Sequence, residues 1–308
     1  MSPTLALHSP NFLFYSALLA GILFSAGVVL AGLRALLRER VEHAWKAYCG
    51  WLVIVPLLAL GFFLGREAII ALLTAIAILG FLEFARATEL HVDRWLSATV
   101  TLAIVAVGIA CMTRSLAAFL MLPAFVTPAL LAIPVVRNRG DGQLRLVLLA
   151  VFGFHYFGWM LGHVMMLANS PHAYAYLGYL LLAVGLNDVS AYISGKLFGR
   201  HPLRSNISPK KTWEGALGAL AVSLALPWLL RPTMPHFEPM DCIVVGLIVG
   251  IGGQMGDLVV SVIKRDVGVK DMGALIPGHG GVLDRIDSLI YVAPLFFHYV
   301  HFFHEQGG

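Results

Sequence analysis

Ten apolar runs dominate this chain, near 11–33, 48–65, 67–85, 95–113, 115–136, 146–168, 173–195, 213–230, 241–263 and 287–304. Each has the length a helix needs to cross roughly 30 Å of hydrocarbon, about 17–25 residues. Of the 308 residues, 59% are hydrophobic and only 12% are charged, and the mean hydropathy is +0.83. Soluble domains average about 25% charged residues. The expected fold is therefore all-α, a polytopic integral membrane protein with nine to ten transmembrane helices. The first run has no Lys or Arg before it and reads as a retained helix, not a cleaved secretory signal. Cys49, Cys111 and Cys242 stand singly in or beside apolar runs, without metal-binding spacing, and read as small core residues.

The charges between the runs set an orientation. With the N-terminus outside, the inward loops carry 18 of the 21 basic residues, leaving Arg66, Arg114 and Arg231 outside. The positive-inside bias then places the charged loops in the cytoplasm and both termini on the outer face. The first three inward loops alone hold 9 basic residues against 2 in the outer ones, so the assignment does not rest on the residues that follow.

Residues 1–145 are chemically plain and read as an N-terminal transmembrane scaffold, whereas 146–308 read as a C-terminal catalytic region with cytoplasmic loops. In this second half polar residues enter the runs themselves. Asn187, Asp188, Ser190 and Tyr192 interrupt one, and Gln254 and Asp257 another. Counting back from Lys196 and Lys264, both acids lie about 10–12 Å inside a helix end, at one common depth. An ionised acid facing lipid costs at least about 2.5–3.5 kcal/mol, so each must face a cavity, a cation or the other. A hydrogen-bonded pair holding two helices together is the plainer alternative. Gly246/Gly250 and Gly252/Gly256 form two GxxxG spacings, which read as close helix packing.

Between Ser261 and Asp287 the chain concentrates charge, glycine and histidine. Lys264, Arg265, Lys270 and Arg285 can neutralise phosphates, and Asp257, Asp284 and Asp287 are candidate metal ligands, with Asp188 as a supporting acid. Asp284 and Asp287, three apart, share a face of a helix beginning there. The glycines around His279, Gly280 and Gly281 among them, let backbone amides approach phosphate oxygens; His279 is either a donor or base, or a turn residue. Lys210 and Lys211, just before a helix starting near Thr212, grip an anionic group or simply set topology. Magnesium suits carboxylates plus substrate phosphates, and paired ions clamp both oxygens of an in-line displacement. A two-cation magnesium site is the expectation.

The string Ser261-x-Ile263-Lys264-Arg265-x4-Lys270-Asp271-x-Gly273-x2-Ile276-Pro277-x-His279-Gly280-Gly281-Val282-x-Asp284-Arg285-Ile286-Asp287 resembles the signature of phosphatidate cytidylyltransferases, also called CDP-diacylglycerol synthases. Asn187-Asp188, the stretch Ser208-Pro209-Lys210-Lys211-Thr212-Trp213-Glu214-Gly215, and Gly256-Asp257 look like further motifs of that family. The resemblance covers roughly 187–287, about a third of the chain. It implies that CTP and phosphatidate, with magnesium, give CDP-diacylglycerol and pyrophosphate at the inner face of a bacterial cytoplasmic membrane. It implies catalytic roles for Asp257, Lys264, Arg265, Lys270, His279, Asp284 and Arg285. Substrate contacts fall to Asn187, Asp188, Ser208, Lys210, Lys211, Gly280 and Gly281. A homodimer is implied too, and no nucleic-acid partner is expected. Two other readings use the same acids: a CTP-dependent lipid-alcohol kinase, and a cation- or proton-coupled transporter. His298, His301 and His304, spaced three apart on the last run, face the outer side and read as interfacial.

Overall fold

The computed structural model describes residues 1–37, 42–273 and 281–305. Its helices are α1 (Pro3–His8), α2 (Pro10–Leu37), α3 (Glu42–Leu64), α4 (Arg66–Ala87), α5 (Arg94–Met112), α6 (Leu116–Val136), α7 (Gln143–Gly153), α8 (Leu161–Leu167), α9 (Ala173–Phe198), α10 (Trp213–Leu229), α11 (Pro239–Asp266) and α12 (Leu283–Val300). A π-helical stretch, Phe154–Met160, joins α7 to α8 into one continuous run. Among the described residues, eight helical runs are long and apolar enough to cross a membrane. The other two expected runs, around 48–65 and 213–230, are also helical, but their apolar stretches, Tyr48–Leu64 and Trp213–Leu229, are shorter.

The chain is not purely helical. The loop before α10 folds into an antiparallel hairpin of β1 (Pro202–Arg204) and β2 (Ser208–Thr212), with Pro202 opposite Thr212 and Arg204 opposite Ser208. Along β2 Pro209 and Lys210 are exposed, while Lys211 and Thr212 are half-buried. Thr212 then caps α10, its Oγ1 accepting the Gly215 amide at 3.2 Å.

One buried core runs through both halves, from Tyr15 on α2 to Val300 on α12. Phe81 and Phe84 of α4 pack there on Phe157 of the π-helical stretch. A tighter bundle of α9, α10, α11 and α12 sits beside it. The glycines of α11 explain the tightness: a β-carbon at Gly246 or Gly250 would strike α10 at Ser223, Leu224 or Leu220. One at Gly252 or Gly256 would strike α12 at Val292, Asp287 or Ser288. The two GxxxG spacings thus serve two different neighbours, and α11 is clamped on both sides.

Where α4 gives way to α5, Asp93 does two jobs. It caps α5, accepting the amides of Trp95 and Leu96 at 3.1 and 3.2 Å, and it accepts Arg137 at 2.6 and 2.8 Å from the end of α6. Burial alone would push this carboxyl up, but the Arg137 guanidinium and the Leu96 amide outweigh it and hold it below its ordinary value. A depressed carboxylate stabilises the fold above its ordinary range, near pH 3.9, and loses that contribution as pH falls through the lower native value. Thermal midpoints measured on the detergent-extracted protein should therefore fall as the medium is acidified below about pH 4. The Arg137→Gln protein should start lower, by about 2 kcal/mol, and show a flatter acid limb; an unchanged acid limb would remove this pair from the account.

Candidate functional site

Three helices deliver carboxylates to one region of the bundle. Asp188 comes from the middle of α9, Asp257 from the last third of α11, and Asp287 from the first turns of α12. All three lie within electrostatic reach of one another. Asp188, ten residues inside the end of α9, is exposed at the protein surface, while Asp287 is buried. Ser288 bridges two of these helices to α12: its hydroxyl contacts Asp188 Oδ1 at 3.3 Å and donates to the Gly253 carbonyl of α11 at 3.0 Å. Tyr156, on the π-helical stretch, reaches the Asp287 carbonyl at 3.5 Å. Asp188 and Asp257, expected at one depth, lie within electrostatic reach of each other.

Lys211 is the cation inside this group. Its Nζ lies 2.6 Å from Asp257 Oδ2 and donates to Gln254 Oε1 at 3.2 Å. Gln254 in turn donates to Asn187 Oδ1 at 2.8 Å, and Asn187 donates to Ser223 Oγ at 3.0 Å and toward the Gly250 carbonyl at 3.4 Å. Each amide has only one orientation that satisfies this chain, so Lys211 is aimed by residues on α9, α10 and α11. Two expectations change here. Asn187 is fully buried and its amide is engaged by Gln254, Ser223 and the Gly250 carbonyl, so it positions its neighbours. Lys211 is an internal partner of Asp257, while Lys210 is the exposed member of the pair.

A second ion pair stands one level away. Lys264 Nζ donates to Asp284 Oδ1 at 2.9 Å, and Asp284 Oδ2 accepts the amides of Met272 and Gly281 at 3.3 and 3.0 Å. Gly281, expected to offer its amide to a phosphate, gives it to Asp284 instead. Asp257, Asp284 and Asp287 therefore do not form one ready cage: among the described residues no three His, Cys, Asp or Glu side chains are grouped to hold a metal ion. Lys211 and Lys264 draw Asp257 and Asp284 into separate pairs. Arg265, at the C-terminal end of α11, and Lys270, just beyond it, are exposed, Arg265 donating to the Ile207 carbonyl of the hairpin at 3.2 Å. Arg285 is exposed on α12 and acts electrostatically on Asp188. Ser208 is half-buried at the start of β2. His279 and Gly280 lie outside the described residues.

The chemistry of this donor set fits a hard divalent cation. Asp188, Asp257 and Asp287 stand within electrostatic reach of one another, with one lysine, Lys211, paired to Asp257. Magnesium commonly takes only one or two carboxylates and fills its shell with water and substrate phosphate, so a full protein cage is not required. Sequence reasoning missed Glu83 and Ser223 and left Gln254 without a role. A lone acid near the end of an apolar run was the available signal for Glu83.

Residues 45–303 match the model of the cytidylyltransferase family. An Escherichia coli protein named uncharacterized protein YnbB is 34% identical over 240 residues, which cover 75% of this chain and 79% of that protein. A phosphatidate cytidylyltransferase of Staphylococcus haemolyticus is 43% identical over 136 residues, covering 44% of this chain and 52% of the relative. One from Synechocystis sp. is 50% identical over 117 residues, covering 37% and 39%. The aligned region spans about half or less of the length of these two relatives.

Proposed function

The chain belongs to the cytidylyltransferase family, and from that membership we propose that it transfers CMP from CTP to phosphatidate, giving CDP-diacylglycerol and pyrophosphate. An oxygen of the phosphatidate phosphate bonds to the α-phosphorus of CTP. The bond from that phosphorus to the oxygen bridging to the β-phosphorus breaks, and pyrophosphate leaves with the electron pair. What supports this reading most is that Asp188, Asp257 and Asp287, from three separate helices, lie within electrostatic reach of one another, with Lys211 paired to Asp257. Phosphoryl chemistry asks a protein for charge neutralisation and alignment more than for covalent work.

Lys211, held by Gln254 and Asp257, presents a fixed positive charge to a phosphate entering beside Asp188. Lys264 does the same at the next level, and exposed Lys210, Arg265, Lys270 and Arg285 attract two polyanionic substrates that repel each other. Charge on the attacking and leaving oxygens would be neutralised by magnesium, with Asp257 and Asp287 as the residues that would hold it. By the positive-inside bias the site faces the cytoplasm, where CTP is supplied, and lipid enters from the inner leaflet of a bacterial cytoplasmic membrane.

The purified protein, incubated with CTP labelled in the cytosine ring, phosphatidate and magnesium, should yield labelled lipid and pyrophosphate in equal amounts. Labelled CDP, with phosphate appearing on a lipid alcohol, would replace this reading with a kinase. Absence of any CTP-dependent chemistry would return the acids to a transport role.

A further inference from the structure

Resting on that reading, we propose that Glu83 is a positioning residue for the reaction: its buried carboxylate pins the two ends of the segment 273–281 and thereby fixes the start of α12, where Asp284 and Asp287 stand. Glu83 comes from α4, in the half of the chain that looks chemically inert, and is buried. Its Oε2 accepts the Leu283 amide at 3.0 Å across 200 residues of sequence. That amide belongs to the first turn of α12, where helix N–H groups lack partners within the helix, so an acceptor there settles where the helix begins. A negative charge at a helix N-terminus is also favoured by the helix dipole.

The glycines show how closely the segment is held. A β-carbon at Gly273 would collide with Glu83 Oε1, and one at Gly281 with Glu83 Oε2. The same β-carbon at Gly281 would lie 2.9 Å from the Gly273 amide nitrogen, so the two backbones meet over the carboxylate. Asp284 ties the same two ends from the other side, through Met272 and Gly281. Glu83 Oε1 has no hydrogen-bond partner among the described residues although it is buried. A desolvated carboxylate oxygen left unpaired is costly. A core filler would be better served by leucine or glutamine; an acceptor aimed at a converging pair of backbones accounts for an acid here.

The test uses the full-length protein in detergent with Glu83→Gln, Glu83→Ala, Gly281→Ala and the Glu83→Ala/Gly281→Ala combination. Hydrogen exchange, followed without substrate, should speed up about 30-fold at the Leu283 amide in Glu83→Ala, as loss of one charge-assisted hydrogen bond allows, and stay near the parent rate in Glu83→Gln. In the reaction, kcat should fall by about the same factor in Glu83→Ala with KM for CTP changed less than about threefold, and Glu83→Gln should recover most of it. Gly281→Ala should lower kcat alone yet add little to Glu83→Ala, because both act on one contact. Unaltered exchange at Leu283 in Glu83→Ala overturns the proposal. So does a kcat loss that merely tracks the loss of folded protein. Should the parent chain make no CDP-diacylglycerol while the exchange results hold, the reading of the reaction falls and the hold of Glu83 on α12 stands.

Discussion

The Asp257→Asn protein is expected to keep its fold and to lose CMP transfer by about two to three orders of magnitude, the scale seen when one preorganised charge is removed from an active site. Asparagine fills the same volume, and its amide oxygen can still accept the Ser261 hydroxyl that now contacts Oδ1 at 3.3 Å. What it cannot keep is the charge opposite Lys211, 2.6 Å away. Without that charge Lys211 retains the hydrogen bond to Gln254 and the weaker pull of Asp188, and the site loses one of the carboxylates that would hold magnesium. Thermal midpoints should move little because Asp257 is partly open to solvent, its side chain 34% accessible. Turnover measured on reconstituted protein decides the matter; activity within a few-fold of the parent would strip Asp257 of its role.

Lys264→Met should behave differently, because it breaks a buried pair from one side only. The Asp284 side chain is 9% accessible and that of Lys264 17%. Removing the cation leaves an uncompensated charge whose remaining neighbours are the amides of Met272 and Gly281. Such one-sided losses typically cost about 3–5 kcal/mol, whereas removing both charges is often nearly neutral. Lys264→Met should therefore unfold at markedly lower temperature. Adding Asp284→Asn should restore most of the midpoint without restoring turnover. That split between stability and activity separates a functional ion pair from a structural strut. Additive destabilisation in the combined variant would contradict the pairing.

Much of this molecule was legible before any coordinates. Run length and charge alternation required a bundle of membrane helices, since each run matches a bilayer in length and few charges interrupt it. Acids buried in apolar runs marked the functional end, because lipid does not tolerate them without partners. Helix starts were local too: Thr212 precedes α10 as a cap, and Asp284 falls in the first turn of α12.

Partnership was the part that local pattern could not carry. Lys211 and Lys264 read alike as phosphate-binding cations, yet one is aimed at Asp257 through Gln254 and Asn187, and the other closes on Asp284. Asn187 read as a substrate contact, although helix packing buries it and consumes its amide. Glu83 read as part of a scaffold, although folding carries it to Leu283. Composition and periodicity act over a few residues and decide which segments are helices long and apolar enough to cross a membrane. The pairings join residues as far as 200 positions apart. They exist only once the glycine-lined faces of α11 have drawn α10 and α12 into contact, because a charge chooses its partner from what packing brings within about 4 Å.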